Sequence, residues 1–142
     1  MGVVTAQEAI ELLDKLIATP SHSREEGVTA DILEAFLRAK GIDVQRIHNN
    51  VWAKSLHFDE ARPTLLLNSH HDTVKPSAAY TMDPYTPLHT DGKIYGLGSN
   101  DAGASLVSLA TIFCNNYRTI FLYYIYMFLL KQVTYCNCHS SS

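Results

Sequence analysis

Two histidines and an aspartate, His70, His71 and Asp72, follow directly on an apolar run in the stretch "LLLNSHHDTV" (65–74). Imidazole and carboxylate groups bind transition-metal ions and move protons near neutral pH. In a His-x-Asp pattern, residues 70 and 72 lie on the same side of an extended segment, so the Asp72 carboxylate can brace the His70 ring or share its environment. A ligating histidine is typically held in this way, because the carboxylate fixes its tautomer and raises its basicity. Taken alone, the pattern is also compatible with two solvated histidines in a surface loop. A third carboxylate of interest, Asp101, stands in the glycine-rich stretch "GLGSNDAGA" (96–104). That stretch reads Gly-x-Gly-x-x-Asp and lacks the third glycine of a dinucleotide-binding fingerprint, which excludes that reading.

The elements that must position these groups are legible locally. Thr5 and Glu8 form a capping-box pattern, with Val4 as a staple residue and Ile10, Leu13 and Ile17 at helical spacing, which predicts a helix over about 6–18. Ser23 and Glu26 repeat the capping-box pattern ahead of Val28, Ile32, Leu33, Phe36 and Leu37, and Gly41 supplies a stop. Residues 42–47 alternate like a half-buried strand, Asn49 and Asn50 supply a turn, and residues 51–56 continue as a second strand. "RPTLLLNSH" reads as a central strand, apolar on both faces and entered through Pro63, so His70 lies at its carboxyl end. In an open α/β sheet, ligands gather at that end of the strands. Asp91-Gly92 marks a turn between two short extended pieces, and "DAGASLVSLATIF" has the content of a helix packed on the sheet. The expected fold is α/β, a layered sheet with flanking helices.

The chain has 142 residues, a net charge of -3, 46% apolar and 18% charged residues. This is a globular composition, and the acidic balance argues against a nucleic acid or an anionic membrane as partner. The amino terminus has no basic segment followed by an apolar core, so a cytoplasmic location is expected. All 14 acidic residues lie at or before Asp101, and five of the eight tyrosines come after it. The apolar run "IFLYYIYMFLL" (120–130) is too short for a membrane-spanning helix, which needs about 20 residues, and reads as a buried strand or helix. Cys114, Cys136 and Cys138 do not suggest a disulfide framework, and the cluster Cys136, Cys138 and His139 lacks zinc-ribbon spacing. His22, His48, His57 and His89 are expected to be solvated or structural. From this change of composition we expect two regions: 1–113 as part of a catalytic domain, and 114–142 as an atypical tail, truncated or out of frame.

"LLLNSHHDTV" followed about thirty residues later by "YGLGSNDAGA", after the opening "AIELLDKLIATPSHSREE" and with "MDPYTP" between, resembles the amino-terminal motifs of the M20 family of metal-dependent hydrolases. The resemblance covers roughly residues 5–113 and is closest in kind to the acetylornithine deacetylase and succinyl-diaminopimelate desuccinylase branch. It implies the incomplete amino-terminal part of a two-metal hydrolase catalytic domain. It makes His70 a ligand of one ion, Asp101 the carboxylate bridging two, and Asp72 the carboxylate acting on His70 from behind. His71 fills a variable position without a catalytic role. It also implies a cis peptide at Asp101-Ala102 and close backbone packing at Gly96, Gly98 and Gly103. Zinc is the implied metal, with cobalt or manganese as alternatives. The implied reaction is deacylation of a small N-acyl amino acid such as N-acetylornithine. A dipeptidase or aminopeptidase of the same family, or a non-catalytic fragment that binds metal weakly, is the alternative. The family's glutamate base and remaining ligands lie downstream, and this chain has no Glu after Glu60. The family's homodimerisation domain is also missing, so the chain alone is expected to be inactive.

Overall fold

The computed structural model describes residues 3–119 and, as backbone, the strand 125–130. Helix α1 (Ala6–Ile17) begins at the expected capping box: Thr5 accepts from the Glu8 amide, and Glu8 accepts from the Thr5 amide at 2.9 Å. Val4 is buried, and its backbone N–H and C=O both bond the Asn115 side-chain amide, which ties the start of α1 to the end of the last helix. Leu12, Leu13, Leu16 and Ile17 form its buried stripe.

Helix α2 (Gly27–Ala39) does not start as its sequence suggests. Glu26 occupies the cap position with no side-chain cap, and the Ser23 hydroxyl bonds Asp72 instead. The reason is tertiary: Glu26 is fully buried and its carboxylate accepts from the Arg24 amide and from Asn49 Nδ2. The buried face comprises Thr29, Ala30, Leu33 and Leu37, while Val28 is largely exposed. Gly41, at a φ of 73°, ends the helix in the left-handed region that glycine tolerates.

Strands β1 (Val44–Ile47) and β2 (Asn50–Lys54) form an antiparallel hairpin. Its turn falls on His48 and Asn49, one residue earlier than expected, with His48 at a φ of 54°. Strand β3 (Leu65–His70) is followed by the small hairpin β4 (Leu88–Thr90) and β5 (Lys93–Tyr95), which turns through Asp91-Gly92 as predicted. A wide turn over Ser99–Gly103 leads into α3 (Ala104–Asn116), and β6 (Ile125–Leu130) completes a four-stranded sheet in the order β1-β2-β6-β3. β6 runs antiparallel to β2 and parallel to β3.

The α/β layering is as expected, but β3 is not central. Among the described residues it has a strand neighbour on one side only, and Leu65 and Leu66 are each 54% exposed. Only Leu67 of the leucine run packs against the core, which lies between the helices and the sheet and includes Leu33, Leu37, Val51, Leu106 and Phe113. Cys114 is a free, buried thiol, pushed up to about 12 by burial, and serves as a packing residue. Cys136, Cys138 and His139 lie outside the described residues. Among the described residues, no helix is long and apolar enough to cross a membrane.

Three glycines let α3 and its preceding turn press closely, Gly96 and Gly103 against α1 and Gly98 against Thr73. A Cβ at Gly96 would run into the Ile17 side chain, one at Gly98 would stand 2.6 Å from Thr73 Cγ2, and one at Gly103 would stand 2.6 Å from the Gly98 carbonyl oxygen. Because backbone cannot move aside as a side chain can, Gly103→Ala is expected to destabilise the fold by roughly 1–3 kcal/mol through overpacking. At Gly27 the nearest atom would be 3.8 Å away, and alanine there should shift stability by no more than about 1 kcal/mol. Urea unfolding of the two variants checks the contrast, and equal midpoints would refute it.

Candidate metal centre

The carboxyl end of β3 delivers His70, and the chain then turns so that His71 and Asp72 point inward. The Asp72 side chain is only 4% exposed, and one of its oxygens lies 3.3 Å from His70 Nδ1. The backbone carbonyl of Asp72 lies 3.2 Å from the same nitrogen. The opposite ring nitrogen, Nε2, faces Asp101 Oδ1 at 3.2 Å. The pattern read from the sequence is therefore assembled: Asp72 stands behind the ring, and the far nitrogen points at Asp101.

Asp101 reaches this position through the turn ahead of α3. Gly98, at a φ of 76°, starts the turn, and Asp101 interrupts its helical course with an extended φ of -120° and ψ of 93°. The Asp101-Ala102 peptide is cis, as the family resemblance implies. The Asp101 side chain is 90% exposed, in contrast to that of Asp72. A cleft of about 330 Å³ opens between these groups, lined among others by His70, Asp72, Thr73, Tyr80, Gly98 and Asp101.

His71 occupies no part of that cleft's rim and is itself buried. Its Nδ1 meets Thr29 Oγ1 at 2.8 Å and its Nε2 meets the Asn49 carbonyl at 3.1 Å. Burial pushes the imidazole below its ordinary range, while the Asn49 carbonyl opposes that shift. The residue thus bolts the end of β3 to α2 and to the β1–β2 turn. Two of the other histidines have side-chain partners: His89 bonds Asp14 at 2.9 Å, and His22 packs edge-on to Tyr85.

Sequence reasoning missed the loop between α1 and α2. Ser21 Oγ donates to the His71 carbonyl and the Thr73 amide donates to the Ser21 carbonyl, each at 2.8 Å, while Ser23 Oγ donates to Asp72 Oδ2 at 2.7 Å. These partners are some fifty positions apart in the chain, and no local pattern announces them.

The donor set fits part of a metal site. An imidazole nitrogen and a carboxylate oxygen that face each other at 3.2 Å are a pair of ligand types suited to zinc and similar ions. Among the described residues, however, no group of three or more His, Cys, Asp or Glu side chains gathers into a complete site.

Residues 66–122 match the sequence model of Peptidase family M20/M25/M40. A succinyl-diaminopimelate desuccinylase of Xylella fastidiosa is 31% identical over 107 residues, which cover 71% of this chain and 28% of that protein. Human carnosine dipeptidase 1 superposes with a TM-score of 0.71 at 18% identity, over 93% of this chain and 33% of its own. A dinuclear metal-binding peptidase of the M20 family from Bacillus subtilis, YXEP, superposes with a TM-score of 0.63 at 17% identity, over 89% of this chain and 35% of its own. The chain thus spans about 28% of the length of the curated relatives it matches. Residues 66–122 and the desuccinylase relatives make part of this chain similar to members of Peptidase family M20/M25/M40, and the solved structures share its fold.

Proposed function

We propose that residues 1–113 form part of the catalytic domain of a metal-dependent amidohydrolase, with His70 and Asp101 as metal ligands and Asp72 as the carboxylate that orients His70. The observation that carries this reading is the line Asp72–His70–Asp101, with contacts of 3.3 and 3.2 Å at the two ring nitrogens. In this reading Asp101 would be a ligand shared by two ions, one of which His70 would also hold. Zinc suits the mixed imidazole and carboxylate donors best, with cobalt or manganese as alternatives. When bound, the ions would supply Lewis-acid chemistry for hydrolysis of an amide.

The protein residues act by placement. Asp72 holds the ring so that Nε2 presents its lone pair toward Asp101, and the buried side chain of His71 fixes the backbone from which His70 projects. The substrate class is an N-acyl amino acid. N-acetylornithine is our first candidate, and the desuccinylase relatives make N-succinyl-diaminopimelate the necessary comparison. With no Glu after Glu60, the chain has no glutamate at the expected base position, so by itself it is inactive. The reading includes a cytoplasmic setting, no nucleic-acid or membrane partner, and homodimerisation as in the family.

Two outcomes test it. Zinc titrated into the purified chain by calorimetry should bind weakly, with Asp72→Asn lowering affinity by roughly 10–100-fold and His70→Ala or Asp101→Ala abolishing binding. Zinc affinity indifferent to all three substitutions would remove the assignment. The same zinc-loaded sample should hydrolyse neither N-acetylornithine nor N-succinyl-diaminopimelate above the blank rate. Turnover that His70→Ala abolishes would show that the chain holds a base we have not identified.

A further inference from the structure

The outer face of the β1–β2 hairpin carries a second concave site. Along β2, Val51 and Ala53 are fully buried in the core, so the alternating Trp52 and Lys54 stand on the opposite face of the sheet. A cavity of about 590 Å³ opens there, with Trp52, Leu56 and Phe58 among its apolar walls and Asp43, Lys54 and Ser55 among its polar groups. Among the described residues it shares no lining residue with the cleft at His70. Register puts it at the other end of the sheet: Lys54 lies beside Tyr126 near the start of β6, whereas His70 lies beside Leu130 at its end. We propose that this cavity binds a free amino acid with an apolar side chain, whose ammonium meets Asp43 and whose carboxylate meets Lys54. Nothing in this site depends on the reading of the metal centre.

The charges decide the ligand class. In the antiparallel ladder Val44 faces Ala53, which places Asp43 and Lys54 at the next position along it. Despite that proximity, no ion pair joins them among the described residues: Lys54 Nζ turns to Glu60 at 3.1 Å and lies 4.6 Å from the centre of the Phe58 ring. Asp43 Oδ1 has a long contact of 3.5 Å from Gln45 Nε2. One wall therefore offers a carboxylate without a cation, and its neighbour an ammonium whose partner, Glu60, is 81% exposed. An exposed ion pair contributes little, so Lys54 can exchange Glu60 for a ligand carboxylate at small cost. A molecule that carries both charges on one carbon satisfies the two positions together, whereas a simple cation or anion leaves one of them unmet.

The rest of the lining selects the body of the ligand. Trp52, Leu56 and Phe58 cover an apolar side chain and remove it from water. Ser55 is 5% exposed, and its Oγ is buried with no hydrogen-bond partner among the described residues. An orphaned buried hydroxyl is costly, and the polar head of an amino acid held by the neighbouring Lys54 supplies it with a partner. The walls are fixed without any ligand. The Tyr117 hydroxyl accepts from the Asp43 amide at 3.3 Å, and the Tyr117 carbonyl accepts from the Leu56 amide at 3.0 Å. Tyr117 itself is buried and packs on Phe113 with ring centres 5.9 Å apart. The hairpin and the segment after it are thus tied to the end of α3, and binding does not have to order them.

The test uses the full chain, whose one tryptophan, Trp52, lines the cavity and reports on it directly. L-Leucine titrated into the wild type should change the Trp52 emission saturably. Isocaproate, which lacks the ammonium, and isoamylamine, which lacks the carboxylate, should each bind about tenfold or more weakly, because a hydrogen bond between charged groups is lost. Asp43→Asn and Lys54→Gln should weaken L-leucine binding by a similar factor, and Ser55→Ala by roughly 2–10-fold, with circular dichroism unchanged. Emission indifferent to L-leucine overturns the proposal. Equal affinity for either truncated ligand also overturns it, since the two charges would then select nothing. Wild-type affinity in both charge variants would do the same by moving the binding elsewhere. If a variant fails to fold, the ligand series in the wild type decides, because it changes no residue.

Discussion

The burial of the Asp72 carboxylate at the end of β3 is the constraint around which the site is arranged. A carboxylate taken out of water is costly unless hydrogen-bonded or paired. Here the partners include the Ser23 hydroxyl on one oxygen and the His70 ring facing the other. The α1–α2 loop therefore has to lie against the end of β3, and the Ser21 bonds to the His71 carbonyl and the Thr73 amide set its register. His71, buried one position earlier, adds a second polar anchor to Thr29 and Asn49. The same polar atoms that burial obliges to find partners are those that aim His70.

The second half of the site depends on close backbone packing. Asp101 is exposed, and what places it opposite His70 is the path of the main chain from Gly96 to Gly103. Gly96 and Gly103 press against α1, and Gly98 against Thr73. Side chains at these positions would push the turn away from α1 and carry Asp101 with it. Helix α3, anchored by its own buried face of Leu106, Val107, Ala110 and Phe113, supplies the rigid base. One ligand candidate is thus held by hydrogen bonds and the other by the absence of side chains.

The chain represents a little over a quarter of the length of its curated relatives, and two structural features accord with that. Leu65 and Leu66 on β3 are half exposed although the run is among the most apolar in the described sequence. The candidate metal centre has two facing donors and one bracing carboxylate where a catalytic zinc ordinarily has three protein ligands and an open position. The proposed reading treats these residues as one side of a site whose other ligands are not among the described residues.

Much of this was legible in the sequence because its determinants are local. Helix α1 follows from a capping box and a 3.6-residue period, and the β4–β5 hairpin from an Asp-Gly turn. The pairing of His70 with Asp72 follows from alternation along an extended segment, and the link to Asp101 from a family resemblance. Where sequence reading failed, a long-range interaction had overruled a local preference. Ser23 carries a helix-capping pattern but bonds Asp72, because a buried carboxylate nearly fifty positions away outbids an exposed helix end. Val28 reads as apolar face but is exposed, because Thr29 is turned inward to meet His71. The leucine run reads as a central strand, yet its neighbours, and so its burial, are set by which strands lie beside it. The sequence by itself determined the elements and the residue types of the site. Tertiary structure alone decided which polar atoms meet, since hydrogen bonds between distant segments depend on packing that no local pattern encodes.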